Sequence, residues 1–149
     1  MSPDPKRRLE ARGIETPLPP NPRFAIPLLA SAVDEDDATL RDLWSRLLAA
    51  AMDPNRKSAV RQSFIAVTKQ FDPLDALVLM EIKRNHPGGW SPTGKQVVAA
   101  ALKCSEAEVI VSFQNLAKAE CVSFTDLSGP RIQPFLTAFG LLFMEAVGD

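Results

Sequence analysis

The segment Gly89-Trp90-Ser91-Pro92-Thr93-Gly94-Lys95-Gln96 follows the G-x-x-x-x-G-K spacing with which a glycine-rich loop cradles phosphates on backbone amides. Three features argue against that chemistry. Gln96 stands where magnesium needs a Ser or Thr hydroxyl, Pro92 removes an amide from the cradle, and a helical pattern rather than a strand precedes the loop. His86 is the only histidine, so there is no second imidazole for a zinc site or a paired proton relay, and it sits in the loop Asn85-His86-Pro87-Gly88-Gly89. Cys104 and Cys121 lie 17 residues apart with no further Cys or His at zinc spacing, and read as ordinary buried thiols. No serine occupies a G-x-S-x-G turn. These readings predict a protein that is not an enzyme and takes no cofactor and no metal.

Other residues have the chemistry of contact rather than of catalysis. Arg56, Lys57 and Arg61 form a basic cluster at the start of a helix, where cations oppose the helix dipole; the cluster reads as a solvated face or as a contact for an acidic partner. Trp44 lies on an apolar helix face and reads as core. Trp90 follows a glycine pair, so it either caps the core or stands out as an anchor for a partner.

The elements that must position these residues are mainly helical. A chain of 149 residues, 46% hydrophobic, is long enough to build a core without disulfides. Leu40, Leu43, Trp44, Leu47, Leu48 and Ala51 line one face of a helix that Asp53-Pro54 stops, after the acidic run Asp34 to Asp37. A short helix precedes it from Phe24, and another runs from Ser58 to Gln70 with Val60, Phe64, Val67 and Phe71 inward. A fourth begins at Asp72-Pro73, an N-cap followed by proline at the first helical position.

The C-terminal half carries the pattern of a winged helix-turn-helix. Ser91-Pro92 opens a helix with Val97, Val98, Ala101 and Leu102 on one stripe. Ser105-Glu106-Ala107-Glu108 is a capping box that starts the next, with Val109, Ile110, Phe113, Leu116 and Ala117 on its inner face. Val122 to Thr125 reads as a strand, Ser128-Gly129-Pro130 as a turn, and Arg131-Ile132-Gln133 as a return strand. A last helix follows, carrying Phe135, Leu136, Phe139, Leu142, Phe143 and Val147. The predicted fold is therefore mainly α, an N-terminal helical segment packed with a C-terminal winged helix-turn-helix that carries a short β-hairpin wing. Its predicted parts are a flexible arm over 1–22, a helical region over 23–86 and a winged-helix region over 87–149, the last two forming one compact unit.

If the winged helix reads DNA, Ser112, Gln114, Asn115 and Lys118 would face the bases and Arg131 would hold phosphate from the wing. Charge argues otherwise. The net charge is -1, and residues 1–70 hold 11 Lys/Arg against 9 Asp/Glu, whereas residues 71–149 hold 6 against 9. The half with the wing is the acidic one, and DNA affinity comes largely from Lys and Arg neutralising phosphates. A protein partner or a second copy of the chain is expected ahead of nucleic acid.

Six prolines within residues 1–22, mixed with Lys6, Arg7, Arg8 and Arg12, predict an extended arm that docks in trans and adds little to stability. Deleting it is then expected to leave Tm within about 3 °C. No apolar run follows the basic N-terminus, and the apolar run Leu136 to Met144 is far too short for a bilayer. No membrane partner is expected, and the compartment expected is the cytoplasm.

The run Pro27-Leu28-Leu29 through Asp36-Asp37, Leu40, Leu43-Trp44, Leu47-Leu48-Ala49, Ala51 and Met52-Asp53-Pro54 resembles the start of the bacterial Abi-alpha (abortive infection alpha) family. Phe64, Lys69, Asp72-Pro73-Leu74-Asp75-Ala76 and Leu136-Thr137-Ala138-Phe139-Gly140 fit the same pattern, so that the resemblance spans roughly residues 22–147. It implies a setting in phage exclusion and an interaction or regulatory module of that defence. It supplies no catalytic residues.

Overall fold

Side-chain caps decide where most of the helices start. In the computed structural model, which describes residues 4–56, 59–85, 94–124 and 133–148, Asp4 accepts from the Arg7 amide at 2.9 Å and Pro5 follows, so α1 runs Pro5–Ala11. Asn21 accepts from the Arg23 amide at 3.0 Å, Pro22 follows, and α2 runs Pro22–Asp34. Asp37 accepts from the Leu40 amide at 3.0 Å and opens α3, Ala38–Met52. Each cap satisfies an amide that the first helical turn leaves without a partner. α4, Gln62–Gln70, completes the N-terminal half.

The chain divides into two units, residues 1–70 with 145–149, and residues 71–144. In the first, α3 is the central helix: α1, α2 and α4 all pack on it. Leu40, Leu43, Trp44 and Leu47 are buried on it, as the periodicity predicts, and Val60, Phe64 and Val67 are buried as well.

The N-terminal segment is not an extended arm. α1 packs on α3, Leu9 is 1% exposed, and the Arg8 guanidinium pairs with the Asp42 carboxylate while its Nε reaches Ser45 Oγ at 3.4 Å. Gly13, with φ 75°, ends the helix in a conformation that costs a residue with a Cβ. The prolines sit at the helix start and in the connection after it, where they do not interrupt the hydrogen bonds of α1. One buried leucine and a part-buried ion pair hold the segment in place, so the ground for expecting an indifferent arm is removed.

The second unit contains α5 (Pro73–Asn85), α6 (Lys95–Leu102), α7 (Glu106–Lys118), β1 (Val122–Phe124), β2 (Pro134–Leu136) and most of α8 (Ala138–Val147). The division falls after Gln70 rather than at residue 86, because α5 packs on α6 and α7. Three residues join α6 to α7. Lys103 takes a left-handed conformation, φ 56°, and Ser105 and Glu108 form the capping box: Ser105 Oγ accepts from the Glu108 amide at 3.1 Å, and Glu108 accepts from the Ser105 amide at 3.4 Å. α7 ends in a Schellman motif in which Cys121 and Glu120 donate to the carbonyls of Leu116 and Ala117; Glu120 supplies the left-handed residue, φ 64°.

β1 and β2 pair antiparallel, Val122 with Leu136 and Phe124 with Pro134. The return strand lies three residues beyond its predicted place at Arg131-Ile132-Gln133, and Phe135 and Leu136 belong to it rather than to the last helix. Thr137 explains the shift. Its Oγ1 accepts from the Gly140 amide at 2.9 Å, which makes it the cap of α8 and leaves Phe135 and Leu136 in the extended chain before it. Pro134 is tolerated because a two-stranded sheet is all edge. Gly140 lets α8 approach closely, since a Cβ there would overlap the Cys121 carbonyl, whose carbon is 2.8 Å away. Phe113, Phe143, Leu79, Ile82 and Leu116 form the core, with Phe71 edge-on to Phe143 at 5.9 Å and Phe113 beside Phe124 at 6.0 Å. The Ser91-Pro92 helix start and the Ser128-Gly129-Pro130 turn lie outside the described residues.

Candidate functional site

The outer face of α7 is set by how α7 meets the start of α5. Asp75, in the first turn of α5, accepts from the Asp72 amide at 2.9 Å and is 1% exposed. Asn115 Nδ2 stands 3.4 Å from both oxygens of that carboxylate, and Ser112, one turn earlier, is 2% exposed. Two of the four residues expected to face bases therefore turn inward. Asn115 is committed to a buried carboxylate that would otherwise lack this donor, and Ser112 is covered, so the outward placement expected for both is corrected.

What α7 shows to solvent is different in kind. Ala107, Val111, Gln114 and Lys118 follow the i, i+4, i+7, i+11 spacing of one helix face, and all four are exposed, Val111 by 55%. Glu106 and Glu108 flank the start of this face, where they complement the helix dipole. Beside it lies a shallow hollow walled by Asp72, Leu74, Asp75, Ala107, Glu108 and Val111. Its charged lining is acidic only. Arg131, the expected phosphate contact, lies outside the described residues, as do Lys57, His86, Trp90 and residues 89–93 of the glycine-rich segment; Gly94 caps α6 there without a side chain.

The basic cluster is also divided. Arg56 bonds the Gly148 carbonyl and lies 3.9 Å from Asp53, while Arg61 is exposed. Arg56 belongs to a structural knot at the end of α8. Arg12 donates to Gly148 O at 2.9 Å and pairs with Asp53 at 3.3 Å; Arg46 donates to Val147 O at 3.1 Å and pairs with Asp42 at 2.9 Å. Three guanidiniums thus take up carbonyls that the helix end leaves open and lie at the negative end of its dipole. Asp53, 2% exposed, holds Arg12, Arg56 and the Asn55 amide together. This use of Arg56 replaces its expected role as a partner contact. Arg8 and Arg12 are thereby corrected from charges of an arm that docks in trans, and Arg46 had no expected role; apart from Asp42, one turn before Arg46, their partners lie 34 to 136 residues away in the chain.

Both thiols are poorly ionised. Burial pushes the Cys121 thiol up to about 12, and it donates weakly to the Ala119 carbonyl at 3.8 Å; burial and then the Glu108 carboxylate raise Cys104. Among the described residues no group of three His, Cys, Asp or Glu side chains could hold a metal ion, and no helix is long and apolar enough to cross a membrane.

The family model described as abortive infection alpha matches residues 4–147. The chain belongs to this family. Membership of the abortive infection alpha family connects it with phage defence, and the match takes in α1 and α2 from Asp4 onward, a longer reach than the resemblance from residue 22 implied. No curated protein and no solved structure matches the chain.

Proposed function

We propose that this abortive infection alpha protein is a non-enzymatic interaction and regulatory module of a phage-defence system, acting in the cytoplasm. In this reading α5, α6, α7 and the β1–β2 hairpin make a winged helix-turn-helix used as a protein-binding scaffold. The observation that carries the proposal is the exposed face of α7. A recognition helix that reads DNA needs polar side chains free to reach base edges and cations to meet phosphates. Here Ser112 is buried and Asn115 is spent on Asp75, so Gln114 and Lys118 alone remain for bases and phosphate, on a face that Ala107 and Val111 open beside Glu106, Glu108 and an acidic hollow. An apolar centre with a charged rim is the anatomy of a protein interface. An acidic rim also points to a partner that is basic where it docks.

A gel shift with duplex DNA at about 50 and 150 mM salt tests the reading, since phosphate contacts give a steep loss of affinity with salt. The expected result is no retained complex at the higher salt. Sequence-dependent binding that survives it, and that Gln114→Ala with Lys118→Ala removes, would establish a DNA reader and end the protein-scaffold proposal.

A further inference from the structure

α2 carries a second unpartnered surface, in the other unit. α2 packs on α3 and α4 and Leu28 is fully buried, but Ile26, Leu29 and Val33, at i, i+3 and i+7, are 69%, 50% and 82% exposed and form an apolar stripe with Ala30 beside it. Single exposed apolar residues are ordinary; a row at helix spacing is a packing face.

The charges at its ends are arranged against the helix itself. Arg23 stands in the first turn, and Asp34, Glu35 and Asp36 follow at the last, so the cation sits at the positive end of the dipole and the acids at the negative end. Among the described residues the Arg23 guanidinium bonds Gln62 alone, at 3.2 Å on the surface. Among the described residues the carboxylates of Asp34 and Asp36 bond nothing, whereas that of Glu35 accepts from the Asp37 amide at 3.2 Å. An antiparallel neighbour of the same sequence resolves both conflicts at once. With the twofold axis beside Leu29 and Ala30, Ile26 meets Val33 of the partner copy, the two dipoles oppose, and Arg23 reaches the Asp34 to Asp36 end of the partner at both ends of the contact.

We propose that α2 pairs antiparallel with α2 of a second copy of this chain. The proposal is separate from the α7 scaffold reading, because it concerns other residues and stands whether α7 meets protein or DNA. A helix of this length extends about 20 Å, so the pair buries less than the roughly 1,200 Å² of a standard interface and gives a micromolar rather than a nanomolar dimer.

Sedimentation equilibrium of the full chain across about 1–200 μM, the range in which so small an interface forms, measures this. Wild type should show a monomer–dimer equilibrium. Val33→Asp should weaken it on the order of a hundredfold by placing a charge in the apolar centre. Arg23→Glu should raise Kd about tenfold, and Asp34→Arg with Asp36→Arg should do the same. All three charge changes in one chain should restore the wild-type constant, which a parallel pairing would not allow. Because these residues are exposed, the variants should keep the circular dichroism spectrum of wild type. A chain that stays monomeric at the highest concentration, a dimer unmoved by Val33→Asp, or a triple variant that fails to recover would each overturn the proposal.

Discussion

Replacing Leu9 by alanine is the sharpest probe of the N-terminal helix. The side chain is 1% exposed on α1, a helix of 7 residues with one other buried residue, Arg8. A helix so short has no stability of its own and stays formed only because it packs. Removing a fully buried leucine side chain costs about 2–5 kcal/mol, from lost transfer energy and the cavity left behind. At about 3 kcal/mol, and about 2–4 °C per kcal/mol in a chain of this size, Tm should fall by about 6–12 °C. Thermal melting followed by circular dichroism measures it, with Glu10→Ala as the control, since Glu10 is exposed on the same helix and should change stability by less than about 0.5 kcal/mol. A Leu9→Ala protein that melts within about 2 °C of wild type, with the control unchanged, would show that α1 is not docked, and the account of the N-terminal segment would fail.

Gly140→Ala places a Cβ against the Cys121 carbonyl, where backbone must move to accommodate it; a loss of about 3 kcal/mol or more is expected in a denaturant titration, and a neutral result would mean that α8 is not seated as described. Cys121 should resist iodoacetamide at pH 8 in the folded protein while Cys104, half-exposed, is modified, and mass spectrometry of the product should show one label that becomes two on unfolding. The raised Cys121 value has a pH consequence. Its folded state holds the proton more tightly than the unfolded state, whose ordinary value is 9.0, so this contribution is complete below pH 9.0 and is lost as pH rises toward about 12. Cys121→Ala should therefore show a shallower loss of stability above pH 9.0 than wild type, measured by urea unfolding; equal slopes would contradict the assignment.

Legibility in the sequence followed the range of the interactions. The α3 stripe, the Asp72-Pro73 start of α5 and the Ser105–Glu108 capping box are signals contained within a few helical turns, and each appears where it was predicted. The return strand lies later than expected because Thr137 serves as the cap of α8, which a helical reading of Phe135 and Leu136 with the last helix overlooks. α1 was missed for a longer-range reason. Leu9 stands alone among basic residues and prolines, and only Asp42 and Ser45, on α3, make its helix worth forming. The same holds for the contact residues. Helix spacing alone set Ser112 and Asn115 outward, and the contact between α5 and α7, through Asp75, is what turns them in. Arg56 reads as a surface cation in the sequence because the Gly148 carbonyl it bonds at the end of α8 lies far along the chain.

Central to the function is the claim that the outward face of α7 meets a protein. Plating efficiency of a panel of phages on cells carrying the chain, compared with cells carrying Val111→Glu and with cells carrying Gln114→Ala and Lys118→Ala together, tests it most directly. Val111 is 55% exposed, so the glutamate should leave Tm unchanged while it breaks the apolar centre of the face. Val111→Glu should abolish phage exclusion, and the double alanine variant should weaken it by a small factor at most. Exclusion that is untouched by Val111→Glu and lost in the double alanine variant would contradict it and give the face to nucleic acid.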